Sequence, residues 1–335
     1  MVHVNDNRIM GGSMMQILAG SVVQILMTAI GFSGGLALAA AGITLIYMTT
    51  GTFSFAHASM TAWGFYIVFS LYKVMLGGNP YFYFPVAFLF SGLLGIITYV
   101  VVNRWLLRRG ADMVTLMMST LGVDLVFFAF INIFADFLTA TYKVNSRLIV
   151  LTTEDVVLGK IGTFSFKAIT LVSVIIVIGT ALFFYYLLNK TKFGIAFRIT
   201  VENPALAAII GINTEVIYLV AWFLGGALAG LGGAVLSMVI SGTPTVGNTV
   251  IVPEFAASIV GGLYSLYGGL LGGFLIGLSQ KIIINWLGSI LGGNVAVYEP
   301  IIPLIIMAAT LLLYPQGLGG INWEKVFSKL RGEKR

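Results

Sequence analysis

Nine strongly apolar runs, joined by short polar connections, constrain this chain more than anything else in it. They are Met14–Gly31, Leu36–Met48, Phe53–Leu71, Tyr81–Val102, Val114–Phe134, Phe166–Leu188, Val216–Ile240, Phe255–Trp286 and Val295–Leu313. A helix rises about 1.5 Å per residue and a bilayer core is about 30 Å thick, so about 20 apolar residues suffice to cross it. Hydrophobic residues make up 59% of the 335 and charged residues only 9%. No water-soluble domain of this size hides that much apolar surface. The runs predict an all-α polytopic transmembrane bundle. Because the second run is short and the eighth is interrupted by glycine pairs, 8 to 10 spans are expected, with half-helices among them. The expected domains are a membrane domain over 1–320 and a basic tail over 321–335.

Composition removes several function classes. There is no cysteine, so disulfides and thiol chemistry are excluded. The net charge of +6 sits at span ends, the pattern of cytoplasmic loops and not of nucleic-acid binding. No G-x-x-x-x-G-K-[ST] phosphate loop is present. The only histidines, His3 and His57, are far apart, and no histidine–carboxylate cluster has metal-ligand spacing. Arg8 before an apolar run resembles a secretion signal, but no clear small-residue cleavage site follows, so an uncleaved first span is expected.

Three basic clusters set the orientation. They are Arg104, Arg108 and Arg109; Lys190, Lys192 and Arg198; and Lys325, Lys329, Arg331, Lys334 and Arg335. The positive-inside bias puts all three in the cytoplasm and the polar connection Ala135–Ser165 outside. The region Phe255–Trp286 must then begin and end on the outer side. A re-entrant half-helix followed by a full helix satisfies this, with the turn at Gly261, Gly262, Gly268 and Gly269.

Between the sixth and seventh runs lies KTKFGIAFRITVENPALAAIIGIN, Lys190 to Asn213. Asn203 suits an N-cap, Pro204 the first helical position and Gly211 the residue past the end. A helix of about two turns is too short to be stable alone in water, yet this one offers Leu206, Ile209 and Ile210. The capping pattern alone leaves two readings open, a docking helix or a local surface helix.

The remaining polar positions also carry two readings each. Thr120, Asp124, Asn132 and Asp136 recur at multiples of four and share one helix face. Asp124 is costly in hydrocarbon unless paired or wet. It either lines a path or bonds to another span. Glu254 follows Pro253 and fits the first turn of a helix, where the dipole favours a carboxylate. Glu299 precedes Pro300 near the outer end of the last span. Both are expected to cap helices or to meet an external partner.

The chain resembles the inner-membrane permease subunits of branched-chain amino acid ABC importers. The likeness rests on Gly51-Thr52-Phe53-Ser54-Phe55-Ala56-His57, on Gly194 through Asn213, and on Val260-Gly261-Gly262 with Tyr314-Pro315-Gln316-Gly317-Leu318. Ser54 stands where the family signature carries Asn. The resemblance implies a permease that is not itself an enzyme and holds no cofactor. ATP and Mg would bind two cytoplasmic ATPase subunits. A second permease (homologue or second copy) and an extracytoplasmic solute-binding protein would complete the complex in the inner membrane. It assigns ATPase coupling to Arg198, Glu202, Asn203, Leu206, Ala207, Ile209, Ile210 and Gly211. Candidate path residues are Phe53, Ser54, His57, Thr120 and Asp124. The solute would be a branched-chain amino acid or a related small amino acid or amide. The residues alone also admit an ion-coupled carrier using Asp124 or Glu254, or a passive channel for a solute such as urea.

Overall fold

The computed structural model describes residues 5–161, 164–292 and 295–320. His3 and the basic tail over 321–335 lie outside the described residues. The chain runs α1 (Asn5–Thr50), α2 (His57–Ser70), α3 (Phe84–Thr98), α4 (Arg104–Arg108) and α5 (Met113–Tyr142), then a small hairpin, β1 (Val157–Ile161) and β2 (Phe164–Lys167). It continues through α6 (Ala168–Lys190), α7 (Lys192–Glu202), α8 (Pro204–Ile209), α9 (Thr214–Ser237), α10 (Val246–Gly261), α11 (Leu266–Leu291) and α12 (Ile301–Leu313). Single π and 3-10 turns join α3 to α4 and precede α3 and α12. Among the described residues, seven helical stretches are long and apolar enough to cross a membrane.

The expected 8 to 10 spans resolve into these seven plus two short helices, α2 and α10. The first two apolar runs are one continuous helix. The polar, small residues between them, Ser33, Gly34 and Gly35, do not break it. The Ser33 hydroxyl donates to the Ala29 carbonyl at 2.5 Å, and the glycines let neighbours approach. The connection after the fifth run is also shorter than the sequence suggests. α5 continues to Tyr142 and ends at Lys143, whose φ of 55° is left-handed. Leu138 is buried there and Asp136 pairs with Arg147 at 2.7 Å, so the last turns have partners.

The helices form an inverted repeat. In each half a long helix leads through non-helical chain into a short helix, and a second long helix follows: α1, α2 and α3, then α9, α10 and α11. α1 packs on α11 as α9 packs on α3, and α1 packs on α9. The central pair is antiparallel, with Gly35 facing Leu236 and Gly42 facing Gly225. Lipid tails are as apolar as Leu, so helix association in a bilayer rests on close packing and hydrogen bonds. At this seam the packing is backbone on backbone. A Cβ on Gly42 would lie 2.5 Å from the Gly225 carbonyl oxygen, which leaves room for no side chain.

The short helices run in opposite directions. α2 starts beside Ala39, in the interior of the bundle, and the π turn that extends it carries Lys73 to Glu154 in the 143–167 connection, 2.6 Å away. α10 starts near Gly242, which pairs with Ile149 of the same connection, and ends at a turn whose Gly262 packs on Gln316 and Gly319. Two faces follow. One holds Arg104, Arg108, Lys190, Lys192 and Arg198, and is called the basic face below. The opposite face holds the 143–167 connection. α10 followed by α11 is the half-helix and full helix that the charge pattern requires, with the turn at 262–265.

Candidate functional site

The five candidate path residues come together around the start of α2. After Thr50 the chain does not return to helix until His57, so residues 51–56 re-enter the bundle as irregular backbone. Irregular backbone at membrane depth needs its polar groups satisfied by protein or water. α5 supplies part of this. The Thr120 hydroxyl donates to the Met117 carbonyl at 2.8 Å and accepts the Phe55 N–H at 3.0 Å. One helical turn on, Asp124 Oδ1 accepts the Ser59 N–H at 3.1 Å and the Ser59 hydroxyl at 2.5 Å. Residue 56 offers no capping side chain, so an acceptor from another helix fills that role for the first turn of α2. A carboxylate there also complements the positive end of the helix.

His57 is fully buried, and its Nε2 lies 2.9 Å from the Ala39 carbonyl of α1. A carbonyl only accepts, so Nε2 carries a proton and donates it to Ala39. Among the described residues neither His57 Nδ1 nor the buried Ser54 hydroxyl has a hydrogen-bond partner. Phe53 is half-buried and meets Phe255 of α10 edge-on, with ring centroids 5.1 Å apart.

Glu254 differs from its sequence reading. α10 begins at Val246, so Pro253 lies inside the helix and Glu254 lies well past the first turn. It is fully buried, and Thr61 of α2 donates to its Oε1 at 3.1 Å. Oε2 has no partner among the described residues. The Pro–Glu dipeptide suggested a helix start, and nothing local reveals that α2 lies opposite. Ser59 carries no local signal, because it is the third residue of α2 and not its N-cap. Glu299 is held within the fold. Its Oε1 accepts from Lys281 at 2.6 Å and from Gln280 at 3.0 Å.

The 190–213 segment forms an elbow of two helices on the basic face. Thr191 caps α7 by accepting the Gly194 N–H at 3.2 Å. Asn203 caps α8 by accepting the Leu206 N–H at 3.0 Å. Gly211 closes the elbow with φ of 87°, a region that costs a side chain strain. Within α8 only Ala207 is buried, whereas Leu206, Ile209 and Ile210 are 51%, 82% and 58% exposed. Arg198 and Glu202 are exposed as well. The helix over 192–202 was not singled out from the sequence, although the run from Lys192 to Glu202 is amphipathic. Phe197 and Thr200 form its buried side. Glu215, in the first turn of α9, is a further anchor of this face. It accepts from Arg104 at 2.8 Å and also pairs with Arg108.

Residues 25–313 match the family described as branched-chain amino acid transport system, permease component. The chain is 40% identical over 302 residues to a probable branched-chain amino acid transport permease protein LivH of Methanocaldococcus jannaschii, covering 90% of this chain and 94% of that protein. It is 25% identical over 304 residues to the high-affinity branched-chain amino acid permease LivH of Escherichia coli, and 26% identical over 304 residues to BraD of Pseudomonas aeruginosa. Each of these alignments covers 87% of this chain and 93% of the relative. No solved structure matches it.

Proposed function

This chain belongs to the permease-component family of branched-chain amino acid transport systems, and from that premise we propose that α8 is the element through which it is driven. It is an integral membrane permease subunit of an ABC importer, and ATP hydrolysis belongs to partner subunits. The family assignment leaves no role for the ion-coupled carrier or passive channel readings. The observation that carries the coupling role is the exposure of Leu206, Ile209 and Ile210 on a capped helix held between two spans. Three aliphatic side chains in water on a surface of Arg and Lys are the anchors that helix-in-groove recognition uses. A cytoplasmic ATPase subunit would supply the groove, which makes the basic face cytoplasmic in agreement with the positive-inside bias.

The solute would be a branched-chain amino acid, as the names of the relatives suggest. Its path would pass the start of α2, where Phe53, Ser54, His57, Thr120 and Asp124 gather. Support comes from the broken backbone at 51–56, since discontinuous helices are where transporters hold solute. Two ATPase subunits, a second permease and an extracytoplasmic binding protein complete the assembly in this reading. Dimer closure of the ATPases would push on α8 and change which face the path opens to.

The test is reconstitution of this chain with its ATPases and binding protein in liposomes. ATP-driven uptake of radiolabelled leucine, isoleucine or valine is expected. Leu206→Asp should leave the permease inserted and folded but lose the ATPases on co-purification. Normal ATPase retention together with normal uptake by Leu206→Asp would remove α8 from the coupling role.

A further inference from the structure

A groove runs along the outside of the bundle between α3 and α5, and no described side chain fills it. α5 packs on α2 and on the π turn that follows α3, but makes little contact with α3 itself. The gap opens as two adjoining cavities of ≈ 350 and ≈ 590 Å³ that share Ile97 and Phe127 in their walls. The first lies nearer the basic face. Val101 and Val102 wall it on one side, and Ser119, Gly122 and Val126 on the other.

Gly122 separates this gap from the packing seams inside the chain. Gly95 of α3 lies against α9, where a Cβ would come to 2.2 Å from the Trp222 carbonyl oxygen. A Cβ on Gly122 would meet nothing within 4 Å. A small residue on a spanning helix lets a neighbour approach closely, and here the described chain supplies no neighbour.

The end of the groove at the basic face decides what fits. Ile97, Val101, Trp105 and Arg109 recur at intervals of four, so the wall of the groove continues through the π turn into α4 and ends in an indole and a guanidinium. The Arg109 guanidinium carbon lies 3.7 Å from the centre of the Trp105 ring. Trp105 is 54% exposed, an amphipathic ring of the kind that sits at headgroup depth. Arg104 and Arg108 are both engaged by Glu215, and the acid of this turn, Asp112, accepts from Thr115. Arg109 makes no ion pair among the described residues. Its planar fork of donors matches phosphate oxygens. From Arg109 back to Ile97 the helix covers about 18 Å, comparable with one leaflet of a hydrocarbon core about 30 Å thick. A phospholipid carries its charge and its chain at that separation. A helix of another chain would match the groove but leave the guanidinium unanswered unless it also brought an acid.

We propose that the groove between α3 and α5 holds an anionic phospholipid of the basic-face leaflet, with its phosphate on Arg109 beside Trp105 and an acyl chain along Ile97, Val101 and Gly122. The lipid completes the packing of α5, the helix whose Thr120 and Asp124 hold the start of α2. The inference needs only that the chain spans a bilayer, and it stands apart from the coupling role of α8.

The experiment places the full chain in phosphatidylcholine nanodiscs doped with phosphatidylglycerol that carries a diazirine on one acyl chain. After irradiation, the labelled residues are mapped by mass spectrometry. Label is expected on the α3 and α5 peptides that hold Val101 and Gly122. It should be about fivefold weaker with the same diazirine on phosphatidylcholine, the worth of one basic residue near an anionic surface. Arg109→Gln should abolish that preference. Gly122→Leu should abolish the label itself. No neighbour obstructs a side chain there, and leucine suits a helix better than glycine, so the variant folds. Gly179→Leu, at an equally open glycine of α6, should leave the label in place. Label spread evenly over the exposed faces of α3, α5 and α6, or a preference that survives Arg109→Gln, overturns the site. Loss of the preference on adding inorganic phosphate at matched ionic strength would give Arg109 to the free anion and overturn it too. So would a groove that stays unlabelled while Gly122→Leu separates paired copies in native mass spectrometry, which would assign the groove to a second permease.

Discussion

Asp124 and Ser59, on helices 65 residues apart in sequence, are joined by two hydrogen bonds through a single carboxylate oxygen, one from the Ser59 N–H at 3.1 Å and one from its hydroxyl at 2.5 Å. The pair ties α5 to the first turn of a helix that begins inside the bundle. It gives the polar stripe on α5 a structural task, whatever part that stripe plays toward solute.

Asp124→Asn keeps an oxygen acceptor and should retain most of the stability. Asp124→Leu leaves the buried Ser59 N–H without an acceptor, at a cost of about 1–3 kcal/mol, while the Ser59 hydroxyl can still donate to the backbone carbonyl of residue 124, 3.1 Å away. The expected order of thermal unfolding temperatures in detergent is unsubstituted, Asn, Leu. If Asp124 also lines the path, Asp124→Asn will change uptake by more than its small loss of stability accounts for. Equal unfolding temperatures for all three proteins would argue against the cap.

Glu254 has no basic partner among the described residues, and a lone buried charge is far more costly than a neutral acid. A neutral acid makes Glu254→Gln nearly silent, because the amide oxygen still accepts from Thr61. Glu254→Leu should destabilise by about 1–3 kcal/mol by stranding the Thr61 hydroxyl. Uptake and unfolding temperature measured on both variants decide this. A Gln variant that is stable but inactive would require a charge or a proton transfer at this position.

Gly211 sits at φ of 87°. Gly211→Val places a β-branched side chain in that region, with strain of about 1–3 kcal/mol. Open space surrounds the site, so the effect should stay within the α8 elbow. The membrane core should unfold at its usual temperature, while ATPase affinity on co-purification falls. An unchanged affinity would mean that the shape of the elbow is not what the ATPase reads.

Glu154 lies in the 143–167 connection, where the Lys73 ammonium, followed by the Tyr72 hydroxyl, holds its pKa below the ordinary glutamate value. A depressed carboxyl stabilises the fold above its unfolded-state pKa, and the contribution is lost as pH falls through the folded-state value. Both partners are about one-third exposed, so screening keeps the effect small. The unfolding-temperature gap between the unsubstituted protein and Glu154→Gln should be present at neutral pH and close on acidification. A gap that widened in acid would have the wrong sign for this ion pair.

What could be read from sequence was mostly what depends on residues within a turn of each other. Asn203, Pro204 and Gly211 specify α8 by local capping chemistry, and the elbow closes as they predict. The half-helix and its turn at Gly262 followed from charge bias and glycine pairs. Contacts between distant elements were not legible. Pro253–Glu254 looks like a helix start, because only α2 packed opposite reveals a carboxyl acting across two helices. Ser33-Gly34-Gly35 looks like a break, because polarity does not distinguish a loop from a helix whose small residues admit α6 and α9. Likewise, Thr120 and Asp124 were identifiable as one helix face, and Gly51 as a helix break, but not the contacts of that face with Phe55 and Ser59.

The ion pairs among the described residues all lie toward the two faces: Arg104 and Arg108 with Glu215 on one, and Lys73 with Glu154, Arg147 with Asp136 and Lys281 with Glu299 toward the other. The glycine seam of α1 and α9 between them is held by backbone contact. Mobile ions screen exposed charges over about 10 Å at 0.1 M and do not enter a sealed interior. Ionic strength therefore addresses the ends of this protein separately from its middle. A salt titration loosens the grip of the loops and leaves the fit of the central helices untouched.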